Sequence, residues 1–255
     1  MHLLKLEWMK VKNYRTFWIF LGLYVLGLFS INYTAYQFQE DFKKELPLEF
    51  FPYAFPKLWQ TIAWISSWLL YFPGMLMILI ITNEYTFKTH RQNIVDGLTR
   101  QQFIYGKILM ALVLALITTL VCVINALIFG TIHGSTPTWD GSIYVFYCFV
   151  QGLSYIFLAM LIGVLVRRGG LAMGIFFLYG LVFEQLLGGL MHKYVVEGAW
   201  YYFPLQTTDV LIPVTFGSGV VYKNAPDNSV LLICAIAYIA LYTFFSIRRY
   251  QTADL

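Results

Sequence analysis

Residues 83–107 read NEYTFKTHRQNIVDGLTRQQFIYGK, a basic polar stretch between two apolar runs at 59–82 and 108–130. It opens on an acid, Glu84, carries Lys88, His90, Arg91 and Arg100, breaks at Asp96-Gly97, and passes through Lys107 into the next run. Each run is long enough to cross a bilayer, which takes about 20 residues at about 1.5 Å rise per residue. A helix-length polar island held between two crossings reads as a docking element for a soluble partner, attached mechanically to both.

The rest of the chain supports that frame. Its 255 residues are 59% hydrophobic, 19% aromatic and 12% charged, with a mean hydropathy of +0.67. Soluble domains carry about 25% charged residues. The expectation is an all-α integral membrane protein with six transmembrane helices at 17–36, 59–82, 103–130, 143–166, 170–191 and 229–247. Barrel strands would instead alternate over about 10 residues. The first run follows a charged segment and exceeds a signal-peptide core, so it is expected to stay as the first span. Cys122, Cys148 and Cys234 all fall in apolar runs, which suits core residues better than a disulfide framework.

Basic residues set the orientation. Lys5, Lys10, Lys12, Arg15, Lys88, Arg91, Arg100, Lys107, Arg167, Arg168, Arg248 and Arg249 fall on one side, twelve of the 17. Lys43, Lys44, Lys57, Lys193 and Lys223 fall on the other. Both termini are therefore expected in the cytoplasm, with the protein in the cytoplasmic membrane. The net charge of +4 follows from this asymmetry and implies no nucleic-acid partner. Ahead of the first span, Leu4, Trp8 and Val11 share a helical face with Lys5, Glu7, Lys10 and Lys12 mostly off it. That pattern predicts an amphipathic interfacial helix within 1–16, its bases near anionic lipid head groups.

The spans differ in chemistry. The second holds Trp64, Trp68 and Tyr71 and is then expected to break at Phe72-Pro73-Gly74, where Pro73, the one proline in any predicted span, should bend it. The fifth holds Phe183 and Glu184, the one acid well inside an apolar run. An intramembrane carboxylate is costly and faces protein or water; here it serves either a pathway or a structural hydrogen bond. Asn125 and Gln151 read as interhelical glue. Residues 192–228 are a semi-apolar external stretch rich in aromatics, expected to return into the outer interface as a lid. No phosphate-binding loop, HExxH, GxSxG or CxxC pattern occurs, and the four histidines are scattered, so neither a nucleotide, a catalytic centre nor a metal is expected in this chain.

These features resemble the membrane subunit of an ATP-binding-cassette (ABC) exporter of the second type, a six-span permease with a separate ATPase, over essentially the whole chain. The family's coupling-loop motif is matched at Glu84, Thr89, Thr99, Arg100 and Lys107, while Lys88 stands where the family often has Gly and Gly97 where it has Pro. The resemblance implies a single permease domain over 1–255, a cytoplasmic coupling helix at 83–101, and a re-entrant region between spans five and six. It further implies two ATPase subunits holding ATP and Mg, and a second permease chain, identical or homologous, in a dimer embedded in membrane lipids. ATPase coupling would rest on Glu84, Thr89, Arg91, Arg100 and Lys107, with Glu84 pairing Arg91 or Arg100. The substrate pathway would pass Trp64, Trp68, Tyr71, Phe183 and Glu184, and the aromatics suit an amphipathic or hydrophobic cargo. An ion-gradient-driven secondary transporter or channel is the alternative, though internal repeats or several intramembrane charges, usual in that class, are not evident. An intramembrane enzyme would need converging catalytic groups, which the sequence does not offer.

Overall fold

A computed structural model describes residues 2–45, 52–87, 89, 99–215 and 224–252, and every regular element among them is a helix. The chain opens with α1 (His2–Val11), turns, and enters α2 (Arg15–Glu45), 31 residues long. The turn is fixed by Lys12 N–H donating to Trp8 O at 2.9 Å and by the Trp18 indole donating to Lys12 O at 2.8 Å. On α1 the protein-facing side carries Glu7 and Val11, each 4% exposed, while Trp8 is 38% exposed. Glu7 thus belongs to the buried face, because a lysine waits beneath it.

The second span is two helices, α3 (Leu58–Ser67) and α4 (Tyr71–Thr86), bent by 45°. Pro73 sits in the first turn of α4, not at the bend. A proline ring crowds the carbonyl four residues earlier and cannot bond to it, so the disturbance falls on the turn before. There the ladder tightens to i→i+3 bonds, Leu69 N to Ser66 O (3.0 Å) and Phe72 N to Leu69 O (3.0 Å).

Next comes α5 (Arg100–Ile132), started by a capping box. Thr99 Oγ1 accepts from Gln102 N at 3.2 Å and Gln102 Oε1 accepts from Thr99 N at 3.0 Å, satisfying two backbone donors at the helix start. Then α6 (Ile143–Val166) leads through Arg167, a left-handed residue at φ 58°, into α7 (Gly169–Leu178). A π-turn over Tyr179–Phe183 joins α7 to α8 (Glu184–Tyr194). A 3₁₀ turn (Ala199–Tyr202), the short α9 (Gln206–Asp209) and α10 (Asn228–Thr252) complete the described chain.

α6 is the axis. In its most apolar stretch 72% of residues are buried, against 22% to 39% in the other long spans. It packs on α4, α5 and α10, and its small residues permit close approach: a Cβ on Gly163 would lie 3.5 Å from the Ile78 backbone. Polar stitches cross the bundle as well, with the Tyr24 hydroxyl 2.8 Å from Ser66 Oγ and donating to Thr118 O at 3.1 Å. Asn125, by contrast, donates to Val121 O in its own helix rather than across to a neighbour. Outer faces are apolar: Leu26, Leu120, Leu186 and Ile233 are all exposed. Five helices are long and apolar enough to cross a bilayer, and the bent α3–α4 pair makes a sixth.

The expected element at 83–101 is divided. Its first residues complete α4 and its last open α5, while Lys88, His90, Arg91, Asp96 and Gly97 lie outside the described residues. The 192–228 stretch begins in the last turn of α8 and continues through the 3₁₀ turn and α9, burying Tyr201, Leu205, Thr207 and Leu211; 216–223 lie outside the described residues.

Candidate functional site

Two polar constellations stand at opposite ends of the bundle. At the α1 end, four charges close a ring. Lys107 Nζ donates to Glu7 Oε2 at 2.5 Å and to Glu84 Oε1. Lys10 Nζ donates to Glu7 Oε1 at 2.8 Å and to Glu84 Oε1 at 3.0 Å. Two carboxylates and two ammonium groups balance, so a lysine 1% exposed is held without net charge. Burial pushes the Glu7 pKa up, but the Lys107 and Lys10 ammonium groups outweigh it, and the net shift is downward. Close packing is required here: a Cβ on Gly106 would meet Glu7 Cγ at 3.2 Å.

The ring reaches further through aromatics. Phe103 lies 5.1 Å below Lys107 Nζ and 5.6 Å from Lys10 Nζ, and stacks on Tyr250 with centroids 4.6 Å apart. Arg100 adds a hydrogen bond to Gln251 O at 2.8 Å. One cluster therefore ties α1, the end of α4, the start of α5 and the end of α10. Of the sequence-derived coupling residues, Glu84 and Lys107 are in it and Arg100 borders it. Thr89 is half-buried, and Arg91 lies outside the described residues. Glu84 pairs with Lys10 and Lys107, partners the sequence reading did not assign it. Glu7 and Lys10 were missed because 77 and 74 residues separate them from Glu84; the available signal was one acid among the bases of α1.

The second constellation is a cavity of about 290 Å³ at the far end, beside the α3–α4 bend. Trp64, Ser67, Trp68 and Tyr71 form one wall, and Gly180, Leu181 and Gln185 of the π-turn and α8 form another. Tyr155, Trp200, Gln206 and Asp209 close it. Two glycines bring the walls together: a Cβ on Gly180 would collide with the Tyr71 hydroxyl and one on Gly188 with the Trp200 ring. Asp209 Oδ1 accepts from Gln151 Nε2 at 2.8 Å and from the Tyr155 hydroxyl at 3.0 Å. Burial raises its pKa to about 6, against the pull of those hydrogen bonds toward the charged form.

Among the expected pathway residues, Trp64, Trp68 and Tyr71 meet in this cavity. Phe183 is 54% exposed on the outer face. Glu184, 1% exposed, lies behind the cavity, its Oε1 accepting from Leu205 N at 2.6 Å and Gln206 N at 2.9 Å. It holds the first turn of α9, whose last residue is Asp209. Asp209 escaped the sequence reading because its segment was read for its aromatics; the signal was an acid directly after Thr207-Thr208.

The profile described as ABC-2 family transporter protein matches residues 3–183, which include the whole charged ring and end immediately before Glu184. Among curated proteins none matches the chain. With a matched region covering well over half of the sequence and an all-helical bundle of five to six candidate spans, the chain belongs to the ABC-2 transporter family, as the membrane-spanning permease subunit of an ABC transporter.

Proposed function

We propose that this chain is the permease of an exporter, driven by two copies of a separate ATPase that hold ATP and Mg and dock on the 83–101 segment. Both termini face the cytoplasm, the chain sits in the cell membrane beside a second permease chain, and an amphipathic cargo leaves through the aromatic cavity. The single observation that carries this reading is the charged ring, because it fastens α1, α4 and α5 together where the 83–101 segment leaves and returns. A push on that segment enters both spans as a rigid unit, which suits a permease that must receive work by contact. A solvated ion pair contributes under about 1 kcal/mol; the buried ring supplies the stiffness instead.

The test is charge reversal on the docking segment. Arg91→Glu with Arg100→Glu should leave membrane insertion intact and lower ATPase co-purification and substrate-stimulated turnover about tenfold or more, the size of loss expected when several rim charges are inverted. Unchanged association and turnover in the double variant would remove the coupling role from this segment.

A further inference from the structure

The far-end cavity contains a carboxylate that no cation of the described residues meets. Asp209 Oδ1 is met by Gln151 and Tyr155, and Oδ2 by the Tyr155 hydroxyl at 3.1 Å. These donors are neutral. Among the described residues no lysine, arginine or histidine forms an ion pair with it. Glu184, close enough to interact with it electrostatically, is a second acid and supplies no countercharge. Protein surrounding a carboxylate without a countercharge is costly, and the cavity is the place where a countercharge can enter.

The walls select the kind of cation. Trp64 and Trp68 meet edge to face, centroids 6.0 Å apart at 76°, and Tyr71 and Tyr155 do the same at 5.5 Å and 86°. Such corners present the negative faces of π-systems, which attract weakly hydrated cations. A bare metal ion is a poor fit. Hard cations take six or more oxygen ligands, and no group of three metal-ligating side chains occurs among the described residues. At about 290 Å³ the space is also far larger than one ion requires, roughly ten times the share of a water molecule in the liquid.

We infer that this cavity binds an organic ammonium ion on a short apolar body, with Asp209 as its counter-ion and the surrounding tryptophans and tyrosines as its walls. Its role as cargo rests on the permease reading; its binding does not. Glu184 is a positioning residue here, holding the turn that presents Asp209.

Binding is read on the purified full chain by quenching of tryptophan fluorescence. The probes are benzyltrimethylammonium and neopentylbenzene, which has the same shape with carbon in place of the charged nitrogen. The cation should bind about tenfold or more tightly, and Asp209→Asn should abolish that preference while leaving the neutral probe unaffected, as loss of a desolvated countercharge requires. Equal affinity for the two probes, no binding of either, or a preference that survives in Asp209→Asn overturns the proposal. The comparison on the unaltered chain decides the matter alone if the variant fails to fold. A choline lipid head group offers the same ammonium as a free cation: displacement by dihexanoylphosphatidylcholine assigns the site to lipid, and failure of displacement assigns it to the free ion. The Arg91→Glu and Arg100→Glu variant should bind the probe normally, so a failure of coupling and a failure of cation binding are distinguishable.

Discussion

At the scale of single residues, the charged ring shows how a membrane protein keeps a lysine buried. Lys107 has both carboxylates within reach, so removing either leaves it partly uncompensated. Glu7→Gln should destabilise the chain by about 3 kcal/mol, the lower part of the range for breaking a buried pair, because Glu84 remains. Thermal unfolding in detergent measures this, and an unchanged midpoint would assign the ring no structural role. The pH dependence has a definite sign. Glu7 titrates below its ordinary value of 4.5 in the folded chain, so its contribution is complete above that value and is lost as pH falls through the lower folded pKa. Glu7→Gln should therefore flatten the acid limb of the stability profile. The sequence made Glu84 and Lys107 visible through the coupling motif, but not their partners, since nothing in local spacing says which distant helix end covers a buried ammonium group.

At the scale of elements, the long spans were legible because their apolar runs reach bilayer length, and α6 begins and ends at the expected residues, Ile143 and Val166. The irregular parts were less so. Pro73 marked span two as bent, but the break expected at Phe72-Pro73-Gly74 lies one turn earlier, at Trp68–Leu70, where the proline's effect falls. The π-turn at Tyr179–Phe183 carries no proline and left no trace in the periodicity. The stability of α9, only four residues long, depends on Glu184 accepting two backbone N–H groups. Glu184→Gln keeps an acceptor oxygen in place and should retain near-normal yield and melting. Glu184→Leu orphans both donors at about 1–3 kcal/mol each and should melt several degrees lower with faster proteolysis after Tyr194. If the two variants behave alike, the capping role is wrong.

At the scale of the whole molecule, the basic residues of the described chain gather at the α1 end, and the cavity lies at the other. Single cysteines replacing Thr89 and Trp139, the latter 83% exposed at the far end, in a background lacking Cys122, Cys148 and Cys234, should label from opposite faces of the membrane with an impermeant reagent. Labelling from one face alone would overturn the proposed orientation. The two ends are also joined by a single rod. Glu84 of the ring and Tyr71 of the cavity wall stand on α4, 13 residues and about 20 Å apart at helical rise. With the 45° bend acting as a knee directly above Tyr71, α4 is shaped as a crank arm. A tilt of about 5° over that length shifts one end by about 2 Å relative to the other. That stroke is enough to pull the Tyr71 hydroxyl away from Gly180, so the cavity wall can part from the π-turn without any relay of side chains in between.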